Sequence, residues 1–225
     1  MQYPRRMGSV ITVSGAVGGV GTSTLAYAIA SQLPQSAVLI DAQPSGTPIE
    51  LLIGGESEPG TRWHQIHVAT PDIDPETVLA ALPSWNGLRF LSANVHGTAH
   101  QPALSHLVDA LRRRCELVVV DVDARSDLID VIQPDLRLLA VPNTIYGLGA
   151  AVAAVHADTE IVVMRSHLED FRPEEIGKYI GNPIHGPVEI ERVVWLALRT
   201  RSPLPMNTSV MQVADQLVTR IANAA

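Results

Sequence analysis

Short apolar runs recur along this chain, each followed by glycine- or proline-marked polar residues and then by apolar positions at helical spacing. Val10–Val13, Ala37–Ile40, Leu88–Leu91, Leu117–Val120, Leu136–Val141 and Ile161–Met164 have the length and β-branched content of strands. Leu117–Val120 shows no polar alternation, which is the pattern of a parallel strand covered on both faces. Helical spacing predicts helices over Leu25–Leu33, Ile49–Ile53 (closed by Gly54 and Gly55), Pro75–Leu82 and Pro102–Arg114. The same spacing predicts further helices over Ala150–Ala157, Pro173–Ile180, Glu189–Leu198 and Thr208–Ala222. The stretch from Gly55 to Thr70, with Pro59, Gly60, Trp63, His64 and His67, reads as a loop over the sheet edge. Strands alternating with helices imply an α/β fold: a doubly wound, mostly parallel sheet with helices on both faces and a ligand crevice at the strand carboxyl ends.

Composition narrows this picture without changing it. At 225 residues the chain can bury one sizeable core, so residues 1–225 are read as one domain. A net charge of −7 with Lys178 as the single lysine argues against broad affinity for nucleic acid or anionic lipid. Arg112, Arg113 and Arg114 sit in the last turn of a predicted helix, where cations suit the negative end of the helix dipole. One cysteine, Cys115, gives no disulfide framework and fits a reducing cytoplasm. Arg5 and Arg6 before an uncharged stretch imitate a secretory signal, but no run reaches the ~18 apolar residues a spanning helix needs. The last predicted helix aligns Val210, Val213, Leu217 and Ile221 on one face with Arg220 as its sole cation, so it is expected to dock on the domain. Membrane association is expected to be peripheral at most. His96, His100 and His106 straddle a loop and a helix start with no cysteine or close acid beside them, and they read as scattered histidines and not as a metal site.

The chemistry concentrates in Val10–Thr24, V-I-T-V-S-G-A-V-G-G-V-G-T-S-T, which reads as strand, glycine turn and helix start. Gly15, Gly18, Gly19 and Gly21 allow close backbone approach, and Ser23 and Thr24 open the helix with hydroxyls. Main-chain N–H groups from Gly18 to Ser23, with the helix N-terminus behind them, can hold phosphates. Yet no charged residue occurs from Met7 to Ile40, so the loop lacks the lysine that phosphate loops carry. Asp41 and Asp121 end two of the predicted strands and point into the crevice, and Asp123 follows.

Two resemblances compete for these letters. S-G-A-V-G-G-V-G resembles the T-G-x-x-x-G-x-G turn of short-chain dehydrogenases, with Asp41 placed for an adenine ribose. That family's Tyr-x-x-x-Lys pair is missing, because Glu174 stands four before Lys178, and only a dinucleotide binder would remain. V-G-G-V-G-T-S-T resembles the deviant Walker A loop of ParA/MinD ATPases, K-G-G-x-G-K-[ST]-[ST], with Val17 at the signature lysine and Thr22 at the phosphate lysine. D-A-Q-P-S-G from Asp41 resembles the family's D-x-D-P-x-G segment, L-V-V-V-D-V-D its Walker B strand, and V-P-N-T its turn beside the nucleotide. Within that family the runs G-T-P-I-E-L-L-I-G, P-G-T-R-W, V-L-A-A-L-P and G-L-x-x-L-S are similar to the CpaE/TadZ branch of pilus assembly, secretion and septum-site-determining proteins. The likeness covers most of residues 8 to 160.

The ParA/MinD resemblance implies ATP or ADP with Mg²⁺ on Gly18, Gly19, Val20, Gly21, Thr22, Ser23 and Thr24, with Pro142 and Asn143 beside it. It implies Mg²⁺ held by Ser23 and, through water, Asp121; a water oriented by Asp41; a homodimer; and partners in pilus, secretion or division machinery. A hydrogen bond to a charged group contributes about 1.5–3 kcal/mol, so one lost lysine weakens nucleotide by one to two decades. A cation set against transition-state charge is worth about 10³–10⁵ in rate, so hydrolysis is expected to be weak or absent unless an arginine such as Arg125 replaces it.

Overall fold

The computed structural model describes residues 7–43, 46–66, 72–92 and 101–224. From the amino end it runs β1 (Ser9–Gly15), α1 (Thr22–Ala30), β2 (Ala37–Asp41), α2 (Ile49–Ile53), α3 (Pro75–Ala81), β3 (Ser84–Trp85), β4 (Leu88–Leu91) and α4 (Gln101–Leu111). It continues through β5 (Leu117–Asp121), β6 (Leu136–Pro142), α5 (Ile145–Ala154), β7 (Thr159–Met164), α6 (Pro173–Ile180), β8 (Ile184–Val188), α7 (Arg192–Arg199) and α8 (Ser209–Ala224). The strands form one sheet in the order β3-β4-β2-β5-β1-β6-β7-β8, and every pairing is parallel except β3 with β4.

Strand alternation divides the buried side chains between two faces. Ile11, Val13, Leu39, Leu117, Val119, Leu138 and Ala140 pack with Leu25 and Ile29 of α1 and Val210, Val213 and Leu217 of α8. The apolar face foreseen for the last helix is therefore docked on the sheet layer. On the other face Val10, Val38, Ile40, Val118 and Val120 pack with Leu104, Leu107, Val108 and Leu111 of α4. Leu139, Val141, Ile161 and Val163 pack there with Leu148 of α5 and Ile176 of α6. Each buried Leu or Ile contributes about 1.5–3 kcal/mol, which makes these two layers the main source of stability.

All six predicted strands are present, and two more border the sheet. β3 is two residues long and turns back through Asn86 (φ 49°) and Gly87 (φ 84°), a tight hairpin with both central residues left-handed. β8 reads I-H-G-P-V, with no apolar run to betray it; proline is tolerated there because the strand lies at the edge. α5 starts at Ile145, five residues before the predicted start, and ends at Ala154. Gly147 and Gly149 lower the helical signal of its first turn. Gly147 is nonetheless demanded, since a Cβ there would lie 2.3 Å from the Pro142 carbonyl oxygen. The three arginines after α4 are held within the fold: Arg112 pairs with Asp135, Arg114 with Glu76, and Arg113 donates to the carbonyls of Ile73 and Asp109.

Candidate functional site

β1 lies between β5 and β6, so the chain leaves β1 at a point where connections diverge to the two sides of the sheet. The glycine turn is built at that point. Gly19 (φ 74°) and Gly21 (φ 102°) take left-handed conformations that let the backbone reverse into α1. A Cβ on Gly18 or Gly19 would meet nothing within 4 Å, so the space around the turn is open. Gly15 is different: a Cβ there would lie 2.4 Å from Thr22 Oγ1 and 3.0 Å from Val20 Cγ1. Thr22, at the position of the phosphate lysine in the Walker A pattern, thus folds its short side chain onto the strand end.

α1 begins at Thr22 behind Gly21, which offers no side-chain cap. Its first intrahelical acceptor is the Gly21 carbonyl, bonded by Leu25 N–H at 3.0 Å. The N–H groups of Thr22, Ser23 and Thr24 precede that bond and are unclaimed by the helix itself.

Asp41 and Asp121 are register neighbours at the ends of β2 and β5, and alternation puts both on the α1 face. Asp121 is 1% exposed. Its Oδ1 accepts from Gln43 Nε2 at 2.8 Å, the Ser23 hydroxyl lies beside this carboxylate, and Oδ2 is buried with no hydrogen-bond partner. Burial pushes its pKa above the ordinary carboxylate range, and the hydrogen bonds from Ser23 and Gln43 offset part of that rise. Asp41 is used differently. Its Oδ1 accepts from Gln43 N at 3.1 Å and its Oδ2 from Ile49 N, the first residue of α2, at 2.9 Å. Behind it the buried Trp63 indole donates to the Asp41 carbonyl at 2.6 Å.

Pro142 ends β6 and Asn143 follows it. Asn143 is fully buried, and its amide is committed to the main chain, with Oδ1 accepting from Ser166 N (2.8 Å) and Nδ2 donating to Phe171 O (3.3 Å). Its own carbonyl accepts from Asp170 N and Phe171 N. It therefore fixes the segment after β7. Arg125 is exposed; its N–H bonds Asp123 Oδ1 at 2.9 Å, and its guanidinium makes no hydrogen bond or ion pair among the described residues.

The structure thus brings Gly18–Thr24, Asp41, Asp121 and Pro142–Asn143 to the same end of the sheet. His96 and His100 lie outside the described residues, as does His67; His106 sits in α4 with a buried, unpartnered Nδ1. No group of three or more His, Cys, Asp or Glu with metal-binding placement occurs among the described residues. Sequence reasoning missed Gln43, which touches both carboxylates; its signal was its place at the second acid of D-x-D-P-x-G. It also missed Trp63 as a support of Asp41.

No family model matches the chain. Two uncharacterized proteins of Mycobacterium tuberculosis, one from each of two strains, are 30% identical to it over 190 residues, 79% of this chain and 53% of theirs. The chain spans about half the length of the curated relatives it matches. Among solved structures, a ParA family ATPase from Chlorobium tepidum superposes with a TM-score of 0.78 at 14% identity over 96% of this chain and 99% of that one. This chain has the ParA/MinD fold. The MinC:MinD cell division protein complex of Aquifex aeolicus gives 0.73 at 18% identity over 97% of both chains. A Cyanothece McdA variant in complex with ATP gives 0.68 at 13% identity over 96% of this chain and 97% of that one. On the ParA/MinD scaffold the open turn, the uncapped start of α1 and the two registered acids all fall at the carboxyl end of the parallel sheet. No described helix is long and apolar enough to cross a membrane.

The residues present fit a magnesium ion. Asp121 offers a buried oxygen that nothing satisfies, and the Ser23 hydroxyl is already drawn to the same carboxylate. Oxygen donors of this kind suit a hard cation that keeps most of its water.

Proposed function

We propose that this chain is a nucleotide-binding switch of the ParA/MinD kind, holding ATP or ADP with Mg²⁺ and hydrolysing it weakly or not at all. The observation that carries this reading is the contrast within one loop. The backbone cradle is open and its helix start uncapped, while Thr22 stands at the phosphate lysine and turns onto Gly15.

In this reading the N–H groups from Gly18 to Thr24 hold the phosphates, and the positive end of α1 supports them. Ser23 and Asp121 hold the magnesium, Asp121 through water; when bound, the ion supplies the positive charge that the loop lacks. Asp41 is the acid nearest to a water-orienting role, and it also holds the start of α2 through the Ile49 N–H. Pro142 borders the nucleotide, and Asn143 keeps the neighbouring segment in place.

Exposed apolar side chains at the same end support a protein partner. Ile145 and Tyr146 at the start of α5 and Leu168 lie beyond β6 and β7, while Leu51 of α2 and Val193 and Leu196 of α7 lie beyond β2 and β8. A second copy of the chain, or an assembly protein of pilus, secretion or division machinery, would cover them. Structural neighbours that include a cell division protein complex and a plasmid partition protein favour such a positioning role.

Calorimetric titration with ATP–Mg²⁺, ADP and NADP, together with steady-state phosphate release, tests the reading. Adenine nucleotide is expected to bind, NADP to give no heat, and phosphate release to stay far below ordinary P-loop rates. Thr22→Lys should tighten ATP by about ten- to a hundredfold. Hydrolysis at ordinary P-loop rates would instead establish a working ATPase with another cation, with Arg125 the first to replace. NADP binding without ATP would establish a dinucleotide protein, and binding of nothing would leave a scaffold that keeps only the fold.

A further inference from the structure

α7, R-V-V-W-L-A-L-R, is seated on the domain by one face only. Val194 and Leu198 pack against the core and Ala197 is buried beside them. The opposite face carries Val193, Trp195 and Leu196 at 44%, 57% and 49% exposure. The charges around that face are of one sign. From Arg192 to Arg201 the chain has three arginines and no acid, within a protein of net charge −7. Arg201 pairs with Glu56, whereas Arg192 and Arg199 make no ion pair among the described residues. Arg199 lies instead over the Trp195 ring, 5.1 Å from its centroid. The two acids just before the helix are already engaged: Glu189 pairs with Arg165, and Glu191 accepts from the Ser209 N–H and hydroxyl. Arg192 and Arg199 are seven residues apart, about 10.5 Å along the helix axis and nearly in line, with Trp195 and Leu196 between them. The exposed stripe is therefore cation, apolar pair, cation.

We infer that α7 is the docking surface for an acidic amphipathic helix of a partner protein, one that sets carboxylates seven residues apart with apolar side chains between them. Two helices packed side by side match a two-turn stripe of this spacing. The partner's acids meet Arg192 and Arg199, and its apolar residues cover Trp195 and Leu196, with Val193 at the border. An anionic membrane surface fits less well, because its field acts on the whole chain, of net charge −7, whereas a helix meets the stripe alone. This rests on the reading above that exposed apolar side chains serve a protein partner, and it names the partner's chemistry without depending on nucleotide.

The test uses the full chain and two synthetic helical peptides, one with glutamates seven residues apart and leucines between them, the other with lysines in place of the glutamates. Covering the exposed Trp195 indole shifts its emission to the blue, and Trp195→Phe identifies that signal. The acidic peptide is expected to bind about tenfold or more tightly than the basic one, with an affinity that falls as salt rises. Arg192→Glu combined with Arg199→Glu should reverse the preference, and Leu196→Ala should weaken the acidic peptide about tenfold, thermal melts confirming that each variant is folded. Equal affinity for the two peptides, or a double variant that keeps the wild-type preference, overturns the inference and leaves the partner reading standing. Failure to bind the acidic peptide overturns it too. If the chain then self-associates in sedimentation and the double variant does not, the face belongs to a second copy; if it binds phosphatidylglycerol vesicles, the face belongs to a membrane. Binding to neither peptide, to no vesicle and to no second copy removes the partner reading at this face as well, while the nucleotide titrations decide the nucleotide reading separately.

Discussion

α1 and α2 both start where a strand of the parallel sheet ends, yet their starts are finished in opposite ways. α1 opens behind a left-handed glycine with no side-chain cap, and the turn before it leaves open space around Gly18 and Gly19. α2 opens behind Pro48, which also gives no cap, but Asp41 reaches across eight residues to accept the Ile49 N–H. A buried helix end normally finds acceptors for its first donors within the protein. Where the fold supplies one, as at α2, the helix is part of the frame. Where it leaves them open beside a buried acid, as at α1, the acceptor is expected from outside.

The comparison can be broken most forcefully at Asp41. Asp41→Ala removes the acceptor of two main-chain hydrogen bonds to a buried charge, and should cost about 3 kcal/mol in urea unfolding, with the Gln43 and Ile49 amides losing hydrogen-exchange protection. A loss below about 1 kcal/mol would show that the α2 start holds without it. Next in size is Trp63→Phe, which keeps the ring but strands the Asp41 carbonyl. The expected cost is about 1–2 kcal/mol, read from the denaturation midpoint.

The smallest effect has the opposite sign. Asp121→Asn should raise stability at neutral pH by about 1 kcal/mol, because it removes a buried charge with an unsatisfied oxygen. The pH dependence follows the same logic. Burial raises the Asp121 pKa in the folded state, so the folded protein keeps a proton that the unfolded chain gives up. The stability this provides is complete below the ordinary value of 3.8 and is lost as pH rises through the raised value. Unfolding curves from acid to neutral pH should show that decline in the wild type and a flatter profile in Asp121→Asn. Two carboxylates side by side in the register would then differ in sign: one holds the fold together and the other strains it.

How much of this could be read from the sequence varied with how local the signal was. β5 announces itself because a strand covered on both faces needs an unbroken apolar run, and β6 does so from Leu138 to Val141, after Arg137. β8 did not, since an edge strand can carry His185, Gly186 and Pro187. The start of α5 was hidden for a related reason: Gly147 is a poor helix former kept for its closeness to Pro142, a contact that only the folded chain reveals. The glycine turn and the acids at the ends of β2 and β5 were legible, because their spacing is itself the chemistry. The roles of Gln43 and Trp63 were not. Gln43 reaches Asp121 across 78 residues and Trp63 reaches Asp41 across 22, distances that no window on the sequence spans.

Surface connections in α/β proteins usually tolerate added or lost residues with little penalty. The stretch from Ser166 to Phe171 is an exception. One buried amide, Asn143, accepts from Ser166, donates to the Phe171 carbonyl, and through its own carbonyl accepts from Asp170 and Phe171. The spacing of those contacts measures the connection to the residue. An insertion there cannot bulge outward without releasing a buried polar group, so length at this point and the identity of position 143 are expected to change together or not at all.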